Sequence, residues 1–169
     1  MTYLMQMWGF INLLEQADFG ERPHKEVGVP PLSEAFTFER FDEMLEAYPD
    51  KTKKGIKGFL VTSQHVNGIG NSYLQDILFQ ARIHPARKIP NLAPEERARL
   101  HNAIQSVMLA AIALHGREEE RDLFNQPGGY ERIMDSKAVG HHCPVCHTDI
   151  EKLSYLGGAC YVCPQCQPR

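Results

Sequence analysis

The sequence predicts a mainly helical fold that closes in a small β-hairpin, on three observations. Between Thr37 and Gly116 the apolar residues recur at helical spacing, in stretches bounded by Pro and Gly. Near the C-terminus, Cys143-Pro-Val-Cys146 and Cys163-Pro-Gln-Cys166 stand sixteen residues apart, room for a hairpin that brings two Cys-x-x-Cys knuckles to one tetrahedral metal. The first fourteen residues, with Tyr3, Leu4, Met5, Met7, Trp8, Phe10, Ile11, Leu13 and Leu14, are apolar and β-prone and read as one or two short strands interrupted at Gly9, which pack on the helices, pair with another chain or are the remnant of a larger sheet.

Taken in order, residues Glu15 to Pro31 carry Gly20, Pro23, Gly28, Pro30 and Pro31 and read as a linker. Thr37 is suited to cap a helix with Phe38, Phe41, Met44 and Leu45 on one face, ended by Pro49. A second helix is expected from Lys53 to about Gln64, burying Ile56, Phe59 and Leu60, although Gly55 and Gly58 weaken it. A third runs from about Asn71 to Ala81 with Leu74, Ile77, Leu78 and Ala81 inward, before His84-Pro85. The clearest helix begins at Pro94, with Glu95 and Glu96 in its first turn. Its stripe is Leu100, Ile104, Val107, Met108, Ala111, Ile112 and Leu114, and Gly116 supplies the stop. A charged link of little regular structure, broken at Gly128-Gly129, leads to the cysteines.

Composition narrows the class. A chain of 169 residues, 43% hydrophobic and 23% charged, suits one core with a small appendage. No apolar run approaches the roughly 18 residues of a membrane span, and no signal peptide is legible. Five cysteines, an odd number gathered at one end, argue for a reducing compartment, the cytoplasm, over a disulfide framework. Net charge is −3, yet its distribution is uneven. Leu32 to Asp50 holds six acids and one base; Lys51 to Pro90 holds seven bases and one acid. A basic middle is what phosphate binding leaves in a sequence, and on charge alone a solvated helix face explains it equally well.

Val66-Asn67-Gly68-Ile69-Gly70-Asn71 is the second informative stretch. Gly68 and Gly70 permit a tight turn with exposed backbone, and the helix that follows turns its unpaired N–H groups and the positive end of its dipole outward. Asn71 could cap that helix or donate its amide to a phosphate oxygen, and Lys57 could reach the same anion. By itself this pattern is also that of an ordinary turn.

The run Gly55-Ile-Lys57-Gly-Phe-Leu-Val-Thr-Ser-Gln64 through Val66-Asn-Gly68-Ile-Gly70-Asn71-Ser-Tyr73-Leu-Gln-Asp76 to His84-Pro85 resembles the helix–two-turns–helix domain of the formamidopyrimidine-DNA glycosylase and endonuclease VIII family. The tail from Pro144 to Gln167 is similar to that family's C-terminal zinc finger, and the two motifs occur in the family's order. The resemblance covers about residues 30 to 169 and implies three regions. Residues 1–28 would be a remnant of an N-terminal β-sandwich with its linker, 29–138 the helical DNA-binding domain, and 139–169 the zinc finger. It implies one structural zinc ion on Cys143, Cys146, Cys163 and Cys166, and DNA contacts from Lys57, Gly68, Gly70 and Asn71. The implied partner is double-stranded DNA with a damaged base or abasic site, bound by a monomer, or by chains associated through the N-terminal strands, in the cytoplasm or at the nucleoid.

The sequence departs from the family in places. The family's nucleophile is an N-terminal proline amine, which expels the base through a Schiff base before strand cleavage; this chain opens Met1-Thr2-Tyr3. No catalytic residue is therefore assigned, and the chain alone is expected to bind damaged DNA without cutting it. The alternative is a non-catalytic nucleic-acid-binding zinc protein derived from the family; a third reading is a zinc-ribbon interaction module. Gly158 stands where the family commonly places a phosphate-contacting arginine, with Lys152 as a conceivable substitute, and Asp76 stands where glutamate is usual. Cys160-Tyr-Val-Cys163 is a further Cys-x-x-Cys, so Cys160 competes with Cys166 as a ligand; the Pro-containing knuckles favour Cys163 with Cys166. His141, His142 and His147 flank the site and are expected to face solvent.

Overall fold

The structure is a computed structural model that describes residues 28–63 and 65–169. The β remnant expected within residues 1–28 falls almost wholly outside that range. Three α-helices, α1 (Phe38–Ala47), α2 (Asn71–Ala81) and α3 (Pro94–Ala113), enclose one apolar core. A two-stranded antiparallel hairpin, β1 (Glu151–Tyr155) and β2 (Gly158–Val162), follows near the C-terminus. The architecture is mainly α with a C-terminal cysteine-bearing β-hairpin, as expected.

Local chemistry sets α1. The Thr37 hydroxyl accepts from Arg40 N at 3.2 Å, satisfying one of the orphan donors of the first turn. Phe41 and Leu45 are fully buried, while Met44 is only partly so. Arg97 of α3 reaches across to Asp42 and Glu46, 2.8 Å from each, and ties the two helices at their rim. His101 of α3 closes the same end: its ring stacks on Phe36 at 4.8 Å and its Nε2 lies 3.0 Å from the Phe36 carbonyl.

The second expected helix is shorter and of a different kind. A helical turn at Ile56 and Lys57 opens into a π-helical segment, Gly58–Thr62, and Gln64 lies outside the described residues. Gly55 is held out of the helix because it bridges to Lys88, and Ile56 N donates to the Arg87 carbonyl at 2.9 Å. A Cβ on Gly55 would stand 2.6 Å from the Ala86 carbonyl carbon, so only glycine admits this approach. Ile56, Phe59 and Leu60 are buried as expected, each contributing about 1.5–3 kcal/mol by leaving water.

Helix α2 has the expected bounds and packs chiefly on α3. Gly70, with no side chain to offer, is the N-cap, so Asn71 is the first helical residue and its amide is not spent on capping. On α3, Leu100, Ile104, Val107 and Ala111 face the core, but Ile112 is 62% and Leu114 46% exposed. The expected stripe therefore stops a turn early. Helix α2, the partner of α3, has only eleven residues against twenty.

The link after α3 is irregular and densely bonded. Gly129 N donates to Leu114 O at 2.7 Å and Tyr130 N to Gly116 O at 2.9 Å, folding the link back on the end of α3. Gly128 passes so close to Gly116 that a Cβ would meet its carbonyl oxygen at 2.3 Å. Asp76 of α2 fixes the next stretch: it accepts from Ile133 N, Met134 N and the Tyr130 hydroxyl. The side chain at this position thus anchors residues 130–134 of the link.

Candidate functional site

The hairpin is built by a two-residue turn, Leu156-Gly157, both with positive φ (50° and 74°), the geometry that suits the right-handed twist of paired strands. Strand alternation then turns Cys160 and Val162 of β2 inward, and both are buried. The face they join is the N-terminal half of α2. Gln75 behaves as a strand edge there: its Oε1 accepts from Tyr161 N at 3.1 Å, and its Nε2 donates to Ala159 O at 3.3 Å. Asn71 Nδ2 also donates to Ala159 O, at 3.1 Å. Two further bonds close the rim. Gly55 N donates to the Tyr155 hydroxyl at 2.8 Å, and Gln167 Nε2 to Ile83 O at 3.0 Å. Gln75, Tyr155 and Gln167 carry the docking, and none of them was singled out in the sequence; a polar side chain bonded across 84 to 100 residues leaves no local pattern.

Lys57 comes to the same place. It is only 2% exposed, and its Nζ lies 3.3 Å from both Gly158 O and Cys160 Sγ. Among the described residues no carboxylate pairs with it, whereas its basic neighbours are matched: Lys51 to Glu46 and Lys54 to Asp50. The acidic and basic runs thus neutralise one another in part, which is the solvated-face explanation for those two lysines. Lys57 differs from the rest of the basic run in being buried. A buried ammonium bonded to neutral acceptors favours an anion beside it.

Of the four residues singled out as contacts, Lys57 and Asn71 meet at this notch, with Gly158 between them. A Cβ at Gly158 would lie 3.1 Å from Lys57 Nζ and 3.7 Å from Asn71 Oδ1, so the missing side chain is what lets the hairpin backbone lie against Lys57. Gly70 N-caps α2 beside Asn71 with open space around it. Gly68 adopts φ +78°, the conformation the turn requires, near Met108. Lys152, on β1, is exposed and paired in register with Tyr161.

Cys143, Cys146, Cys163 and Cys166 bring their sulfurs within 4.8 Å of one another. Tetrahedral thiolate coordination at about 2.3 Å per bond sets sulfurs about 3.8 Å apart. The Cys143–Cys166 and Cys146–Cys163 separations are 3.9 and 3.3 Å. Val145 N and Cys166 N each point at the sulfur two or three residues back, at 3.4 Å, the amide donors that stabilise a thiolate knuckle. Hydrogen bonds from Thr148 bring the Cys146 thiol down to about 6, while burial pushes Cys163 and Cys166 up. A bound dication would deprotonate all of them. The donor set fits one metal ion. Cys160 is not in it; it faces Lys57. His141, His142 and His147 are exposed, and His142 pairs with Asp149 at 2.8 Å.

The arrangement defines a class: a helical scaffold whose glycine turn, buried lysine and docked cysteine ribbon converge on one notch. Residues 27–121 match the formamidopyrimidine-DNA glycosylase H2TH domain, and the chain belongs to that family. It is 36% identical over 168 residues to the formamidopyrimidine-DNA glycosylase of Symbiobacterium thermophilum, covering 95% of this chain and 53% of the relative. With the Shouchella clausii enzyme it shares 35% over 170 residues, covering 98% and 60%. Among solved structures, the Lactococcus lactis Fpg in complex with DNA containing an abasic site superposes with a TM-score of 0.75 at 28% identity, over 86% of this chain and 53% of that one. The MutM (Fpg) protein of Thermus thermophilus gives 0.74 at 31% identity, over 83% and 53%. The chain spans about half the length of the curated relatives it matches. No helix among the described residues is long and apolar enough to cross a membrane.

Proposed function

We propose that this chain is the DNA-gripping part of a base-excision-repair glycosylase/lyase, holding duplex DNA at a damaged base or abasic site. The observation that carries this reading is Lys57: a buried ammonium without a carboxylate partner among the described residues, beside the Asn71 amide and under the bare backbone of Gly158. A DNA phosphate is the anion that completes such a notch, with the N-terminal turn of α2 adding favourable dipole. The relatives' own partner supports it, since the Lactococcus lactis protein is in complex with abasic-site DNA. On this reading Lys57 and Asn71 hold a phosphate directly, and Gly68 and Gly70 shape the turn that lets the backbone approach. Gripping DNA assigns the chain to the nucleoid or cytoplasm.

The metal of the four cysteines is, on the same reading, a single structural zinc. It would hold the knuckles that present β2 to α2 and take no part in bond-making. Cys143, Cys146, Cys163 and Cys166 are its ligands.

Equilibrium binding of the zinc-loaded chain to duplexes with and without an abasic-site analogue, over a range of salt, tests the grip. Tighter binding to the abasic duplex is expected, with a steep salt dependence. Lys57→Gln should weaken both duplexes and lower the slope of log K against log salt by about 0.9, one phosphate contact. Equal, salt-insensitive binding by Lys57→Gln and the parent chain would sink the reading. Without the abasic preference, the non-catalytic nucleic-acid-binding alternative takes its place.

A further inference from the structure

Cys160 is buried, lies outside the metal set, and has no role in gripping DNA. Its Sγ stands 3.3 Å from Lys57 Nζ. A thiol and a primary amine, both almost wholly buried and in contact, form a reactive pair that ordinary packing does not need. Lys57 also has no carboxylate partner among the described residues to draw it away. Gly158 lies against the pair without a side chain, and any larger residue there would crowd Lys57 Nζ. A local opening of the hairpin edge wide enough for hydrogen peroxide exposes the sulfur, whatever the chain binds.

We propose that Cys160 and Lys57 form a reversible, peroxide-driven covalent link that withdraws the notch's ammonium. In the first step the sulfur bonds to one oxygen of hydrogen peroxide and the O–O bond breaks. The second oxygen leaves as water with the thiol proton; sulfur is oxidised by two electrons to the sulfenic acid, and peroxide is reduced. In the second step the Lys57 nitrogen, losing a proton to solvent, attacks that sulfur. The S–N bond forms, the S–O bond breaks, and the oxygen leaves as water with no further change of oxidation level. An external thiol reverses the link by attacking sulfur and returning the amine, itself becoming a disulfide once a second thiol equivalent frees Cys160. Linked Lys57 carries no positive charge, and β2 is stapled to the segment before the π-helical turn. The link's consequence for DNA rests on the proposed grip, but its formation does not.

The test treats the zinc-loaded full chain with hydrogen peroxide, follows zinc release, and measures intact mass and tryptic peptides. The expected product is lighter by two hydrogen atoms, resists trypsin at Lys57, and yields a peptide joining Lys57 to Cys160. Dithiothreitol should restore the original mass. Cys160→Ser and Lys57→Gln should both lack the product; Cys160→Thr replaces the first should it fail to fold. Duplex binding should fall about tenfold on linking and recover on reduction, the value of one charge-assisted contact. Recovery of Cys160 as a free thiol, or as a sulfinic acid with Lys57 unmodified, overturns the proposal. A link that forms in a chain with no affinity for DNA would sustain the chemistry and sink the proposed function instead.

Discussion

The Tyr130 hydroxyl donates to the buried carboxylate of Asp76 at 2.9 Å, joining the middle of α2 to the segment that leads into the cysteine ribbon. Asp76 takes backbone donors from Ile133 and Met134 as well, so one side chain terminates three otherwise buried N–H and O–H groups.

Replacing Asp76 with Ala should therefore be among the most damaging substitutions on α2. Leaving buried donors unpaired costs about 1–3 kcal/mol each at most, and part of that is recovered by local relaxation. A loss of at least about 2 kcal/mol is expected in denaturant unfolding, with hydrogen-exchange protection lost first at residues 130–134. Unchanged protection there would show that the link is held by other contacts.

The same carboxyl sets a pH dependence. Burial pushes Asp76 up, against the pull of its hydrogen bonds from Met134, Tyr130 and Ile133. A folded-state value above the unfolded one means a contribution fully present below the unfolded value of about 3.9 and lost as pH rises through the folded value. Asp76→Asn removes this titration. Relative to Asp76→Asn, the parent chain should gain stability as pH falls from about 7 towards 4. A relative loss over that window would mean that the hydrogen bonds outweigh burial. Glu120 runs the other way: the bond from Arg117 N holds it down, so its contribution exists above its unfolded value and fades in acid.

Metal content discriminates the ligands. One zinc per chain is expected, lost from Cys143→Ser, Cys146→Ser, Cys163→Ser and Cys166→Ser and kept by Cys160→Ser. Structural zinc sites in finger peptides are worth about 10–16 kcal/mol at neutral pH, so chelation should unfold the ribbon while α1, α2 and α3 persist by circular dichroism. Zinc retained by Cys166→Ser but lost from Cys160→Ser would reassign the fourth ligand.

Gly158→Arg restores the side chain that the family commonly places at this position. Its Cβ would press on Lys57 Nζ at 3.1 Å, the movable end of a long side chain, so the fold should tolerate it. Duplex affinity should rise, with the salt slope steeper by about 0.9. Weaker binding would mean that the bare backbone at Gly158, not a missing charge, is what this chain uses.

Much of this molecule was legible before folding. Thr37, Pro94 and Gly116 mark helix ends because capping and φ restriction act within a turn, and α2 begins at Asn71 and ends at Ala81 as its apolar spacing demanded. The clustering of Cys143, Cys146, Cys163 and Cys166 was equally plain, since a knuckle is closed by residues three apart. The notch was legible only in part: Lys57 and Asn71 were named as phosphate contacts, but not the hairpin backbone they meet.

What the tertiary structure alone decided are the contacts made across long stretches of chain. Gly55 leaves its helix because the Arg87–Lys88 backbone arrives beside it, and Ile112 and Leu114 turn outward beyond the reach of α2. Cys160 is parted from the four-cysteine cluster and set against Lys57 by the inward phase of β2, and Gln75 becomes the seam between helix and hairpin. Periodicity and capping are properties of neighbours in sequence. Which ammonium ends up buried without a carboxylate depends on the docking of a hairpin about a hundred residues away.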